Sequence, residues 1–126
     1  MTVSITRTAD ATTIDWERGA DPQGYLVQAI DSGRLEDALT ALGLNTYEDL
    51  AAVDEFERAR ILRSTAAIAA ELTRRVRHMT VAARDQGEMT WGTLASTLTG
   101  DPNQRSTARS TYEAGLRQMG RTSAAD

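Results

Sequence analysis

The feature that most constrains the fold is an uninterrupted run after Asp54, in which neither proline nor glycine occurs before Gly87. Such a run can form one long helix, because it contains no residue that breaks the helical backbone. Apolar or small residues recur in it at alternating spacings of three and four: Leu62, Thr65, Ala69, Leu72, Val76, Met79 and Ala83. The pattern predicts a helix packed along its whole length, either in a helical bundle or against a second copy of the chain. We favour the bundle, because a seam with one threonine and two alanines is a weak zipper; a homodimer through residues 54–87 is the second expectation.

The remaining segments also follow helical patterns. Asp21 and Pro22 predict the start of a helix that ends near residue 32, and a second short helix is expected over 35–42. The inward positions of the first would be Tyr25, Leu26, Ala29 and Ile30. No alternation of apolar and polar residues is long enough to predict a strand. The sequence therefore predicts an all-α fold, a helical bundle around a long central helix.

Charge is distributed unevenly along the 126 residues, which we expect to form one small domain. The basic residues are 14 arginines, the carboxylates number 18, and the net charge is −4. Residues 1–70 hold six arginines and twelve carboxylates, whereas residues 71–126 hold eight and six. Affinity for nucleic acid would therefore come from the second half. Residues 16–70 are expected to form an acidic helical region for dimerisation or partner binding, and residues 1–15 a flexible arm or a short extended segment.

Several classes of function find no support. The chain contains no cysteine, which excludes a disulfide framework and a cysteine nucleophile. Its one histidine, His78, lies mid-helix and is expected to be solvated, and no glycine-rich phosphate loop occurs. We therefore expect no enzyme, no metal and no cofactor. Neither a membrane span nor a signal pattern is present, so the expectation is a soluble cytoplasmic protein with no membrane partner.

The last third of the chain predicts two short helices joined by a turn. Thr90 would cap the first of them, and Gly100 would end it. Its inward residues would be Trp91, Leu94, Ala95 and Leu98. Asp101 would then cap a further helix that begins at Pro102. The inward residues of that helix would be Ala108, Tyr112, Gly115, Leu116 and Met119.

This layout resembles the helix-turn-helix units of DNA-binding proteins, over residues 82–120 only. The similarity is to the small transcriptional regulators of high-G+C bacteria and is carried by a short set of residues. These are Ala82-Ala83-Arg84, Gly87, Thr90-Trp91, Leu94-Ala95 and Leu98. The resemblance implies a C-terminal helix-turn-helix unit, over residues 71–120, in which the small Ala95 lies where two helices cross. The turn is one or two residues longer than the tight version, and residues 121–126 would follow as a frayed tail.

The resemblance assigns a role to each polar face. The last helix would read bases and the long helix would contact the phosphate backbone. Because asparagine and glutamine pair with adenine and arginine with guanine, the expected base-reading residues are Asn103, Gln104, Arg105, Thr107 and Arg109. The expected phosphate contacts are Arg74, Arg75, Arg77 and Arg84. Alternatively, these four arginines only complement the C-terminal dipole of the long helix.

The sequence thus favours a sequence-specific protein that binds double-stranded DNA and regulates transcription as a dimer. The long helix or the N-terminal half would supply the dimer contact. The alternative is a helical adaptor, in which the acidic N-terminal half binds another protein and the helix-turn-helix is only structural. DNA binding would require Arg105, Arg109 and at least two of the four expected phosphate-contacting arginines on one face, whereas arginines scattered over the molecule would favour the adaptor.

Overall fold

The computed structural model describes residues 3–121, and the chain divides into two compact units, residues 1–65 and 66–126. Within the described residues the fold is mostly helical, which confirms the all-α prediction in outline. The helices are α1 (Tyr25–Asp31), α2 (Arg34–Gly43), α3 (Tyr47–Ala52), α4 (Glu55–Asp85), α5 (Trp91–Thr99) and α6 (Arg105–Gln118). A short 3-10 turn, Arg18–Ala20, precedes α1. Two parts of the predicted ends, residues 1–2 of the arm and residues 122–126 of the tail, lie outside the described residues.

The N-terminal segment contains a β-hairpin, which the sequence did not predict. Strands β1 (Val3–Arg7) and β2 (Thr12–Trp16) pair antiparallel, and the Thr8 hydroxyl accepts a hydrogen bond from the Ala11 amide at 3.1 Å in the connecting turn. Apolar residues alternate with polar ones at Val3 and Ile5 in β1 and at Ile14 and Trp16 in β2, but each strand has only five residues. The intervening positions are rich in threonine, whose β-branched side chain favours extended backbone. The prediction that the chain has no strand was therefore wrong.

Asp21 positions the start of α1 later than predicted. The helix begins at Tyr25, and the Asp21 carboxylate accepts hydrogen bonds from the backbone amides of Tyr25 and Leu26, each at 2.9 Å. Asp21 is buried, and these two bonds satisfy its oxygens. The predicted inward face is right for Leu26 and Ala29, which are half-buried, and wrong for Tyr25 and Ile30, which are exposed.

Helix α4 confirms the predicted long helix. Asp54 precedes it, and one carboxylate oxygen of Asp54 accepts a hydrogen bond from the Glu57 amide at 2.8 Å. Ion pairs three residues apart join Glu57 to Arg60 and Glu71 to Arg74 on its exposed surface. Such pairs stabilise a helix only weakly. In residues 3–121, no helix combines the length and apolar character that crossing a bilayer would require.

The second unit contains α5 and α6. As predicted, the Thr90 hydroxyl caps α5 by accepting from an amide of its first turn, at 3.1 Å, and Gly100 ends the helix with a φ of +80°. Helix α5 packs against α6 around a core of Leu94, Ala95 and Ala108. Ala95 is fully buried, so the small residue lies at the contact between the two helices.

The turn between α5 and α6 differs from the prediction. The last helix begins at Arg105, not at Pro102. The Asp101 carboxylate accepts a hydrogen bond from the Asn103 amide at 2.9 Å, which closes a turn instead of capping a helix. Asn103 and Gln104 therefore lie in the connection that precedes the helix.

Candidate nucleic-acid interface

Helix α6 meets α4 at a glycine. A Cβ atom on Gly115 would lie 2.6 Å from the carbonyl oxygen of Arg77 and 2.7 Å from a methyl carbon of Val81. Both distances are too short for an ordinary van der Waals contact, so only glycine allows the helices to approach this closely. This crossing holds the predicted base-reading helix against the predicted phosphate-contacting helix.

Trp91 brings together two of the predicted DNA contacts. The guanidinium carbon of Arg84 lies 4.4 Å from the ring centre of Trp91, and that of Arg109 lies 5.3 Å from it. Cations at this range are attracted to the face of an aromatic ring. The Tyr112 ring meets the indole edge-on, with centroids 5.5 Å apart. Arg84 also donates a hydrogen bond to the Met89 carbonyl at 3.1 Å, so its position is fixed.

Arg105 lies on the same side of α6 as Arg109. The two residues are one helical turn apart, and both side chains are exposed. The Arg105 guanidinium lies beside α5, 3.6 Å from the point that a Cβ on Gly92 would occupy. Arg84 and Arg109 therefore contact Trp91, and Arg105 lies beside Gly92, the next residue of α5. We call Arg84, Arg105 and Arg109 the arginine cluster.

Arg77 lies on the other side of α6. It lines a shallow cleft of about 310 Å³ with Ser106, Thr107, Ser110 and Thr111. Within residues 3–121, the Arg77 side chain makes no ion pair or hydrogen bond with a protein group. A cation and hydroxyl groups thus flank α6 on the edge opposite the arginine cluster.

The remaining two predicted phosphate contacts do not join these groups. Arg74 pairs with Glu71 through its guanidinium, and the same carboxylate raises the pKa of Arg74 above its ordinary value. Arg75 is exposed, and two residues of separation place it on a different face of α4 from Arg77. The four predicted phosphate-contacting arginines therefore do not lie together: Arg77 lines the cleft beside α6, and Arg84 contacts Trp91 of α5.

The predicted base-reading residues before and in the first turn of α6 are exposed. Asn103 uses its backbone amide to close the turn, as described above. The Gln104 side-chain oxygen accepts from the Thr107 hydroxyl at 3.5 Å, a long hydrogen bond. Asn103, Gln104, Arg105, Thr107 and Arg109 thus all lie at or near the N-terminal half of α6 with their side chains at the surface.

A polar network at the opposite end of α6 was missed from the sequence. The Tyr112 hydroxyl donates to one oxygen of Asp85 at 2.9 Å, and Arg121 donates to the other oxygen at 3.2 Å. These partners are 27 and 36 residues apart in the chain, so no local spacing could have revealed them. Because the hydroxyl donates to a carboxylate, and because it is partly desolvated, the pKa of Tyr112 is raised above the ordinary 10.0.

We expect Asp85→Ala to lower the pKa of Tyr112, because the neutral phenol loses the carboxylate that accepts its hydrogen bond. A pKa raised on folding stabilises the fold below the unfolded-state pKa of about 10, and this stabilisation is lost as pH rises through the folded-state pKa. The tyrosinate absorbance of the unsubstituted chain minus that of Tyr112→Phe, followed during an alkaline titration, isolates this group. A Tyr112 pKa at or below 10.0 in the unsubstituted chain would contradict the network.

His78 differs from its prediction as a solvated residue. Its Nε2 atom is buried and has no hydrogen-bond partner among the described residues. Among residues 3–121, no three histidine, aspartate or glutamate side chains come together as a metal site.

Comparison of the chain with protein-family models, with curated proteins and with solved structures gives no match.

Proposed function

We propose that residues 71–120 form a helix-turn-helix unit that binds double-stranded DNA in a sequence-specific manner, and that the protein regulates transcription in the cytoplasm. The observation that carries the proposal is the arginine cluster beside the exposed first half of α6. The second unit, residues 66–126, holds eight arginines and six carboxylates, a net charge of +2 in a chain of net −4. The proposal gives the chain no catalytic role and no cofactor.

The two sides of α6 suit the two edges of a major groove. With α6 inserted, Arg105 and Arg109 would face base edges, together with the polar side chains of the turn. Arg84 on one side and Arg77 on the other would each meet the phosphate backbone of a different strand, since the groove is only about 12 Å wide. Backbone contacts from both sides would hold α6 in register without reading sequence themselves.

A homodimer is part of the proposal, because two-fold operators require two recognition helices. Leu72, Val76 and Met79 follow the predicted spacing along α4, and each remains more than two-fifths exposed. They lie on the face of α4 away from the residues that meet Gly115. An exposed seam at heptad spacing is the surface that a second copy of the same helix covers. We place the dimer contact there; the N-terminal half is the other candidate.

The test of the proposal is duplex binding at low salt. The chain should bind a mixed-sequence fluorescent duplex in about 50 mM salt, and affinity should fall steeply by about 200 mM. Arg105→Ala and Arg109→Ala should each cost about 1–3 kcal/mol at a selected cognate site. Arg77→Ala should weaken all duplexes alike and lower the salt slope by about one.

Arg117→Ala is the matched control, since it removes the same charge from the last turn of the same helix, beyond the arginine cluster. Its cost should be well below that of Arg105→Ala. Two results would reject the proposal: absence of duplex binding at low salt, or equal losses from Arg117→Ala and from the double substitution of Arg105 and Arg109. The helical adaptor would then be the better interpretation.

A further inference from the structure

The first unit contains an apolar groove that the proposed DNA contact does not use. It has a volume of about 630 Å³ and is bounded by α2, α3 and the first turns of α4. The principal lining residues are Leu44, Tyr47, Leu50, Ala51, Ile61 and Leu62. The groove therefore requires its own explanation, since apolar surface of this kind in a chain with a small core marks an interaction site.

Two of the side chains that line the groove are largely exposed to solvent. Tyr47 is 81% exposed and Leu62 is 70% exposed, although both line the groove. A small molecule on the floor of the groove would leave most of these two side chains in water. A helix laid along the groove would cover both walls while its own apolar side chains filled the floor. The exposure of the walls thus favours a helical occupant.

The one charged residue that lines the groove already has partners within the first unit. Arg58 is the one cation among the lining residues, and its guanidinium donates to the carbonyl oxygens of Leu50 and Ala51, each at 3.0 Å, and of Val53. That cation is therefore bound to the C-terminal end of α3 and compensated by its carbonyl groups.

Two carboxylates lie one helical turn from residues that line the groove. Glu48 precedes the lining residue Ala51 by three positions on α3, and Glu55 precedes Arg58 by three positions on α4. Residues at this spacing share a helix face. Both glutamates are exposed, and neither makes an ion pair within residues 3–121. The first unit as a whole holds twelve carboxylates and six arginines, a net charge of −6.

We propose that this groove binds a basic amphipathic helix of a partner protein. Apolar side chains of that helix, one turn apart, occupy the floor between α2, α3 and α4. Lysine or arginine side chains on its flanks meet Glu48 and Glu55. This inference concerns the first unit and does not depend on DNA binding by the second.

The probe is a synthetic helical peptide of about 18 residues, long enough to hold a helix, with leucine on one face and lysine on the rest. Two matched peptides keep parts of this design: one has glutamate in place of every lysine, and one has the same composition in scrambled order. Fluorescence anisotropy with the full chain should show the lysine helix binding about tenfold or more tighter than either. Equal binding of the scrambled peptide would overturn the proposal, since it would reduce the interaction to non-specific charge attraction.

The chain offers a matched pair of variants. Tyr47 lines the groove and Phe56 does not, yet both are aromatic, lie in the first turn of a helix and are about 80% exposed. Because neither side chain is buried, Tyr47→Arg and Phe56→Arg should both leave the fold intact. Tyr47→Arg should weaken binding of the lysine helix by about tenfold, and Phe56→Arg should change it little.

Three further outcomes would overturn the inference. The first is an equal loss of affinity in Tyr47→Arg and Phe56→Arg. The second is a self-associated chain, seen by sedimentation, that Tyr47→Arg dissociates, which would assign the groove to a second copy. The third is binding of 1-anilinonaphthalene-8-sulfonate that Tyr47→Arg abolishes and the lysine helix does not displace, which would assign the groove to a small apolar molecule.

The double substitution of Glu48→Gln and Glu55→Gln should lower the affinity for the lysine helix and also the salt dependence of that affinity.

Discussion

Replacing Gly115 by alanine should destabilise the second unit by about 2 kcal/mol, although alanine is the better helix former by about 1 kcal/mol. The added Cβ would lie 2.6 Å from the Arg77 carbonyl oxygen, a backbone atom that cannot move aside as a flexible side chain can. It would also meet a methyl group of Val81, which is itself buried. Helix α6 must therefore move away from α4. Gly115→Val, with two further methyl groups at the same contact, should cost still more, about 4 kcal/mol.

Urea unfolding measures this effect in a Trp16→Phe background, where Trp91 fluorescence reports the second unit. Gly92 provides the control, because it is also a helical glycine but a Cβ there would lie 3.6 Å from the Arg105 side chain, an ordinary contact. Gly92→Ala should be neutral or stabilising by about 0.5 kcal/mol. If Gly115→Ala proved as harmless as Gly92→Ala, the close crossing of α4 and α6 would be wrong.

Features encoded in a few neighbouring residues were predicted well from the sequence. The long helix follows from the absence of proline and glycine after Asp54, and the ends of α5 follow from Thr90 and Gly100. In each case the physical cause is local: a hydroxyl within reach of an amide of its own turn, or a glycine that adopts a left-handed φ without strain. Such causes can be read without knowing what the rest of the chain does.

Competition between two local signals was harder to resolve. An aspartate followed by a proline is common at the start of a helix and also in a turn. At Asp101 and Pro102 the structure has the turn. The same residue types had the same outcome at Asp21 and Pro22, where the helix begins at Tyr25. In both places the aspartate carboxylate accepts a hydrogen bond from a backbone amide and lies four residues before the helix begins. The predicted helix starts, at Pro22 and Pro102, were therefore three residues too early.

The candidate site depends on contacts that no local pattern encodes. Arg84 and Arg109 were each singled out by residue type, but their shared contact with Trp91 depends on how α4, α5 and α6 pack. The sequence likewise placed Gly115 on the inward stripe without revealing that it meets the backbone at Arg77. The sequence also could not show that Arg74 pairs with Glu71 while Arg77 and Arg84 lie beside α6 and α5, because these neighbours depend on the packing.

Loss of the Trp91 ring should have the second large effect. Trp91 packs against the core of Leu94, Ala95 and Ala108. Its ring also contacts Arg84, Arg109 and Tyr112. Trp91→Ala should destabilise the second unit by about 3 kcal/mol, the sum of a cavity beside the core and the lost aromatic contacts. Trp91→Phe fills most of that cavity but offers the arginines a smaller and weaker aromatic face, and it should cost about 1 kcal/mol. Urea unfolding followed by far-ultraviolet circular dichroism measures both.

The same ring links stability to the proposed DNA contact. If Trp91 holds Arg109 in place, a double-mutant cycle of Trp91→Phe and Arg109→Ala in urea unfolding should give a coupling energy of about 0.5–1 kcal/mol. Trp91→Phe paired with Arg117→Ala should give none, because Arg117 lies two turns further along α6. Equal coupling energies in the two cycles would mean that the indole acts only as core. In that case Trp91→Phe should bind the cognate duplex with the same affinity as the unsubstituted chain. If the indole positions Arg109, Trp91→Phe should bind the cognate duplex more weakly.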